Sequence, residues 1–154
     1  MSEPERKVSD IMTVKVATEE LNATAKDCAK MMARRGVSSA VIVHGGQAIG
    51  IVTERDLVSK VLADAMDPTK VLVRDIMSTP LITIGPSATL IQAAELMAQY
   101  RVRRLVVIGP TGGLAGVVTT GDIARTLAER HNYREPTFNA MARYKDGTES
   151  GPYQ

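Results

Sequence analysis

One seven-residue pattern occurs twice in this chain and limits its fold more than any other feature. "GIVTERD" occupies 50–56 and "GVVTTGD" occupies 116–122. Both read Gly-apolar-apolar-Thr-x-x-Asp. The duplication reaches well beyond these heptads, as a repeated structural unit requires. "SDIM" at 9–12 answers "RDIM" at 74–77, with Asp10 and Asp75 65 residues apart. Met32 and Met97 keep the offset of 65, whereas Thr53 and Thr119 are 66 apart. One residue therefore enters the second copy between those markers. The glycine-rich turns "HGGQA" and "GPTGGLA" are the places where a fold tolerates it.

Each copy carries the same order of elements. A short extended piece comes first, "VKVAT" (14–18) or "LITI" (81–84). A helix follows, with Ala25, Cys28, Ala29 and Met32 on one stripe and Leu90, Ala93, Ala94 and Met97 on its equivalent. Two β-branched runs joined by the glycine turn predict a hairpin: "AVIV" with "AIGIV", then "LVVI" with "LAGVV". A last helix begins after Thr53 or Thr119. Leu57, Val58, Val61 and Leu62 form its expected apolar face, matched by Ile123, Ala124, Leu127 and Ala128. The expected fold class is thus α/β, of the α+β kind, with two β-α-β-β-α repeats. Repeat one takes 8–62, a linker 63–70, repeat two 71–128 and a tail 129–154. One unit is roughly half the usual size of a stable domain. The two copies are therefore expected to pack through a pseudo-two-fold into one module.

Composition narrows the class. The chain has 154 residues, 44% hydrophobic and 23% charged, which suits a globular protein. Aromatics are only 3%, so the core must be aliphatic. A net charge of +2 does not imply nucleic acid or membrane, and no apolar run reaches spanning length. From the polar start "MSEPERKVSD" no signal peptide is expected. The single cysteine, Cys28, excludes an internal disulfide and suits a reducing compartment. A cytoplasmic location is expected. His44 and His131 have no partner spacing for a metal site, and none is expected. No set of nucleophile, base and orienting acid can be assembled, so no catalytic residue and no catalytic cofactor are expected. "GPTGGLAG" lacks the Lys-Ser/Thr ending of a phosphate loop and joins strand to strand, which makes it a turn.

The heptad has two readings. Thr-x-x-Asp ahead of an apolar helical face is a capping signal, and it accounts for Thr53, Asp56, Thr119 and Asp122 without a ligand. The same stretch also runs a strand straight into a helix start, whose free N–H groups suit phosphate. Gly50 and Gly116 would let a flat ring or another backbone approach. A carboxylate beside such a site can hold ribose hydroxyls.

From about Val8 to Ala128 the chain resembles a tandem pair of CBS domains, also called a Bateman module. The marks are "DIM" opening each copy, the helices ending in Met32 and Met97, "RVRRLVVI", and the closing "GIVTERDL" and "GVVTTGDI". The resemblance implies two clefts between the paired domains that take adenine nucleotides: AMP foremost, also ADP or ATP, and sometimes S-adenosylmethionine. It implies that Asp56 and Asp122 hold ribose and that Thr53 and Thr119 face phosphate. It places Val37, Ser38, Ser39 and Ala40, and Val102, Arg103, Arg104 and Leu105, along the adenine pockets with Thr18 and Thr83. It also implies a homodimer joined through helical faces. With no fused domain in the sequence, any regulated protein is expected to act in trans.

The copies differ where an anion would bind. The second has Arg101, Arg103 and Arg104, while Ser38 and Ser39 stand opposite the last two. The first has Arg55 where the second has Gly121. Two unequal sites follow, the stronger expected along copy two, because guanidinium forks grip phosphate. The expected function is a regulatory module that binds adenine nucleotides and signals by changing shape, not an enzyme. A scaffold with empty clefts is the alternative. Nucleic-acid binding through "RVRR" and "MARYK" is weakened by the low net charge. The tail holds Tyr133, Phe138, Tyr144 and Tyr153. Its 133–144 segment either packs on the module or a second subunit, or is a loose end.

Overall fold

The computed structural model describes residues 4–130. The helix and packing expected for 133–144 lie outside the described residues. Each copy builds a three-stranded sheet. The first contains β1 (Thr18–Glu20), β2 (Ser39–His44) and β3 (Gln47–Thr53). The second contains β4 (Thr83–Ile84), β5 (Arg104–Ile108) and β6 (Leu114–Thr119). In both, the first strand runs parallel to the middle one, and the middle and last form an antiparallel hairpin. The mixed α/β fold expected from the repeat is the fold observed.

The hairpins show where the extra residue went. His44 pairs with Gln47 across Gly45 and Gly46, both with positive φ (57° and 77°), as a type I′ turn demands. In the second copy Ile108 pairs with Leu114, and residues 109–113 close the turn with a Gly109 N–H to Gly113 carbonyl bond of 2.8 Å. The "GPTGGLAG" stretch is a strand connection. Both ladders also shift register at the same place, after Ile42 and after Val107.

Two faces of each sheet are buried, which explains the unbroken apolar runs. Ala40, Ile42 and Val52 pack with Ala25, Cys28 and Met32 of α2 (Ala25–Arg35). Leu105, Val107 and Val118 pack with Ala93 and Met97 of α5 (Leu90–Tyr100). The alternate residues Val41, Val106 and Val117 meet between the two sheets. Thr24 and Thr89 cap α2 and α5 by accepting the N–H of Asp27 and Gln92. Burial pushes the Cys28 thiol up to about 11, with the Glu19 carboxylate adding to the shift, so this cysteine is an inert part of the core.

The "DIM" segments are short helices, α1 (Val8–Ile11) and α4 (Val73–Ile76), and each packs on the other copy. Val8 is fully buried in the second core, with Ile11 and Met12 against it. Val71, Val73 and Ile76 belong to the first core. Backbone bonds fix the exchange: Val8 N–H to Ala88 O at 2.8 Å and Thr13 N–H to Val117 O at 2.9 Å on one side. Val73 N–H to Ala23 O and Ser78 N–H to Ile51 O, both 2.9 Å, hold the other. This arrangement shifts the first strands, which begin at Thr18 and Thr83 and not at 14 and 81. Thr13 and Ser78 are already paired with the opposite copy, at Val117 and Ile51.

The last helices differ. α6 (Thr120–Arg130) is regular and buries Ile123. In the first copy α3 (Glu54–Asp56) widens at once into a π-helical segment, Leu57–Leu62. Bonds from Ala63 N–H to Val58 O and from Met66 N–H to Val61 O span five residues each. Of the expected apolar face only Val61 is buried, and Val58 and Leu62 point outward.

The exchanged arms meet the heptad glycines. A Cβ at Gly50 would lie 2.5 Å from Met77 Sδ, and one at Gly116 would lie 2.8 Å from both Met12 Sδ and the Thr13 carbonyl oxygen. These glycines are required for space. A methionine side chain can move aside, whereas a carbonyl in a paired backbone cannot. Gly116→Ala should therefore destabilise the module by about 1–3 kcal/mol in urea unfolding, and Gly50→Ala by less. Removing the obstacle in a Gly50→Ala, Met77→Ala double variant should cost less than the two single losses added together. Strict additivity there would mean the two side chains do not compete for one space.

Candidate functional site

The exchange of arms leaves a cleft of about 610 Å³ between the copies, within the range of small-ligand sites. Its first wall is the end of β3 and the start of α3: Ile51, Thr53, Glu54, Arg55 and Asp56, with Ser38 beside them. Its second wall comes from the other copy. Ser78–Ile82 continue the α4 arm, and Tyr100–Arg104 connect α5 to β5. Arg104 Nη1 donates to Ser38 Oγ across the cleft at 3.2 Å.

The capping reading of the heptad is realised in full. Asp56 Oδ2 accepts the Thr53 N–H at 2.8 Å and the Thr53 hydroxyl at 3.1 Å. Thr53 Oγ1 accepts the Asp56 N–H at 3.3 Å. The other carboxylate oxygen, Oδ1, pairs with Lys60 Nζ at 3.0 Å. Asp56 is 8% exposed yet borders the cleft, so its oxygens are held in place at the edge of solvent. The second heptad repeats the box. Asp122 Oδ2 accepts the Thr119 N–H at 2.9 Å, and Oδ1 pairs with Arg125 at 2.8 Å.

Four arginines line this cleft, Arg55, Arg101, Arg103 and Arg104, together with the acidic residues Glu54 and Asp56. Burial pulls the Arg104 guanidinium below its usual range. Glu54 and Asp56 act against that shift, and Arg103 adds to it. A cation that has lost part of its hydration interacts more strongly with an incoming anion. Arg101 adopts a left-handed backbone, φ 54°, where the first copy uses Gly36, φ 61°. A non-glycine residue in that region carries strain, and such strain collects at functional positions.

Several site residues expected from the sequence fall elsewhere. Ser38, Thr53, Arg55, Asp56, Val102, Arg103 and Arg104 line the cleft. Ala40 and Leu105 do not, because they are 1% and 0% exposed and face the helices of their own copies. Gly50 and Gly116 are covered by Met77 and Met12, so they admit a methionine and not a ring. For Gly116 the close approach of another backbone, the second option for these glycines, is met by the Thr13 carbonyl. Thr18, Val37 and Ser39 do not line this cleft, nor does Thr83, one residue beyond Ile82. Gly116, Thr119 and Asp122 belong to the opposite heptad.

The arginines expected to strengthen a site along copy two do line this cleft, but the heptad they meet there is that of copy one. Arg101, Arg103 and Arg104 stand across from the heptad of copy one, which itself carries Arg55. Both differences between the copies therefore add in one cleft. The sequence reading missed Ser78–Ile82, Tyr100 and Glu54. Symmetry between two "DIM" arms could have suggested the first of these, had the exchange been foreseen.

A pseudo-symmetric pair of α/β units, with a ligand-sized cleft shared between them, is the class this geometry defines. The family model described as CBS domain matches residues 8–63 and 73–129, and the chain belongs to that family. It is 35% identical over 117 residues to the CBS domain-containing protein YhcV of Bacillus subtilis, covering 76% of this chain and 82% of that one. It is 39% identical over 117 residues to an uncharacterized protein of Methanopyrus kandleri, covering 75% of this chain. The match spans 60% of that relative's length. Among solved structures, the CBS domain pair of protein MJ0100 in complex with 5′-methylthioadenosine and S-adenosyl-L-methionine is similar at a TM-score of 0.75 and 26% identity. That likeness covers 82% of this chain and 99% of the other. Among the described residues no group of three or more His, Cys, Asp or Glu could hold a metal, and no helix is long and apolar enough to cross a membrane.

The caps give a measurable consequence. Thr53→Ala removes an acceptor from the Asp56 N–H and a donor to its carboxylate. It should lower stability by about 1 kcal/mol in urea unfolding, and Thr119→Ala by a similar amount. A loss below about 0.3 kcal/mol for both would show that the boxes add little to the fold and leave ligand contact as their main role.

Proposed function

We propose that the chain is a regulatory module, not an enzyme, whose cleft binds an adenine nucleotide. The observation that carries this reading is that Arg55, Arg101, Arg103 and Arg104 line one cleft with Asp56, whose carboxylate is held by Thr53. Guanidinium groups suit phosphate, and a fixed carboxylate suits vicinal ribose hydroxyls. AMP is the simplest ligand with both, and ADP or ATP would add charge for the same arginines. The adenosyl compounds in the MJ0100 pair support an adenine nucleoside in a cleft of this type. S-adenosylmethionine itself is the second reading, but it has no phosphate to meet four arginines. Signalling then requires that ligand favour one packing of the copies over another. A cytoplasmic location and an effector protein in trans complete the proposal.

Asp56→Ala is a poor test, since it also removes a helix cap. The arginines are cleaner, because the hydrogen bond from Arg104 to Ser38 is the one side-chain bond found for the three of copy two among the described residues. Calorimetric titration with AMP, ADP, ATP and S-adenosylmethionine should give binding by the phosphorylated ligands. An Arg103→Ala, Arg104→Ala variant should bind them at least about tenfold more weakly, as expected from losing charge-assisted hydrogen bonds. Unchanged affinity in that variant would remove the phosphate assignment. No heat with any of the four would leave the scaffold reading standing.

The module is also proposed to form a homodimer through its helices. Ala94 and Ala98 of α5 and Ala124 and Leu127 of α6 line a shallow apolar groove of about 360 Å³. Ile91, Val58 and Leu62 are exposed on the same class of surface, at 64%, 56% and 76%. Exposed apolar patches of this kind mark association surfaces. Leu127→Glu should convert a dimer to a monomer in light scattering after size exclusion. A monomeric parent protein at micromolar concentration would dismiss this interface.

A further inference from the structure

Lys60 makes two contacts that belong to different copies. Its ammonium lies 3.0 Å from Asp56 Oδ1 and donates to the Ile76 carbonyl at 2.8 Å. Asp56 is the carboxylate at the rim of the cleft. Ile76 is the last residue of α4, the arm that the second copy inserts into the first core. Met77, next in sequence, covers Gly50, and Ser78 pairs with Ile51. The chain then forms the cleft wall through Ser78–Ile82. A bound ligand therefore meets the arm directly at Ser78–Ile82 and meets it again through Asp56 and Lys60.

We propose that Lys60 is a positioning residue that couples occupancy of this cleft to docking of the 71–78 arm. This rests on the reading of the cleft as a nucleotide site. The carboxylate of Asp56 is fixed at both oxygens, Oδ2 by Thr53 and Oδ1 by Lys60. A hydroxyl donating to Oδ1 shares that oxygen with the ammonium, so ligand and Lys60 order one another. The ammonium has three donors and uses two of them here, one on each copy. Coupling needs a differential interaction with docked and undocked arm, and the bond to Ile76 exists only when the arm is docked. The surrounding geometry favours this role over simple surface pairing. The Lys60 side chain is 43% exposed, yet its head group reaches a backbone carbonyl 16 residues away. Position 60 also lies in the π-helical segment, where the helix is wider than in the second copy. Single-turn π-helical widening is a recurrent feature of functional sites.

Hydrogen exchange of the arm, with AMP and with ATP, tests the coupling. Val73 and Ser78 amides donate to the Ala23 and Ile51 carbonyls of the first copy and report docking. In the parent protein, saturating nucleotide should slow their exchange at least about fivefold, the lower end of typical coupling between sites. In Lys60→Met, at nucleotide concentrations that calorimetry shows to be saturating, the slowing should fall below about twofold, and Lys60→Arg should restore part of it. Full protection in Lys60→Met would overturn the proposal, and so would a parent protein that binds nucleotide without protecting the arm. Failure of either nucleotide to bind the parent protein in calorimetry would overturn the site reading and the coupling together. Exchange of α5 amides, which lie outside the arm, separates local coupling from a general loss of stability.

Discussion

The structure depends on one exchange: each copy sends a helical arm into the core of the other, and each arm ends in a methionine lying on a heptad glycine. Met12 covers Gly116 and Met77 covers Gly50. Neither core is complete without its visitor. The first loses Val71, Val73 and Ile76 if the second copy is absent, and the second loses Val8. Burial of apolar surface is the main force favouring folding, and here much of it is available only to the pair. The family model divides the chain at 63 and 73, but the packed units do not divide there. Residues 71–77 follow the boundary in sequence and precede it in space.

The cleft follows from the same crossing. An arm that leaves its own copy must return, and Ser78–Ile82 are the return path. They run past the end of β3, where the heptad begins its helix. Any site there is composite by construction, with a carboxylate from one copy and a guanidinium cluster from the other. This composite origin explains why charge accumulated on one side. The sequence difference at Arg55 and the difference at Arg101–Arg104 lie in opposite copies, yet they face the same space. At the equivalent positions the chain has Gly121, Gly36, Ser38 and Ser39. Two copies of one unit have thus become chemically distinct without any change in backbone order.

The repeat, the hairpins, the caps and the apolar stripes of α2 and α5 were legible in the sequence because each is a local pattern. Thr53 and Asp56 bond over three residues, and the glycine pair at 45 and 46 sets its own turn. The cleft was legible only in part, because membership depends on which copy faces which. Val37–Ala40 and Val102–Leu105 were grouped as pocket residues, but strand alternation sends Ala40 and Leu105 inward to the helices. Gly50 and Gly116 were open to two readings, and nothing within seven residues says that a methionine from another repeat occupies the space. The arms were the least legible element. "DIM" is too short to show periodicity, and the partner of each arm lies more than 70 residues away for α1 and on the preceding copy for α4. The π-helical turn was likewise hidden, since Leu57, Val58, Val61 and Leu62 have ordinary α-helical spacing.

The capping and binding readings of Thr-x-x-Asp need not compete. A capping box leaves the carboxylate rigid, almost buried and already desolvated on one side, with its orientation set before any ligand arrives. Ordering a free aspartate side chain would cost conformational entropy at the moment of binding, and the box removes that cost in advance. Its use of backbone N–H groups also changes what the helix start can offer. The Thr53 and Asp56 amides are occupied by the box itself, so phosphate cannot rely on them. The positive charge for an anion must come from elsewhere, and the arginines of the opposite copy are what the crossing brings within reach. On this view a helix start that has used the Thr53, Glu54 and Asp56 amides draws on the second copy to become a phosphate site, and a binding cleft is a property of the pair in the same way that the core is.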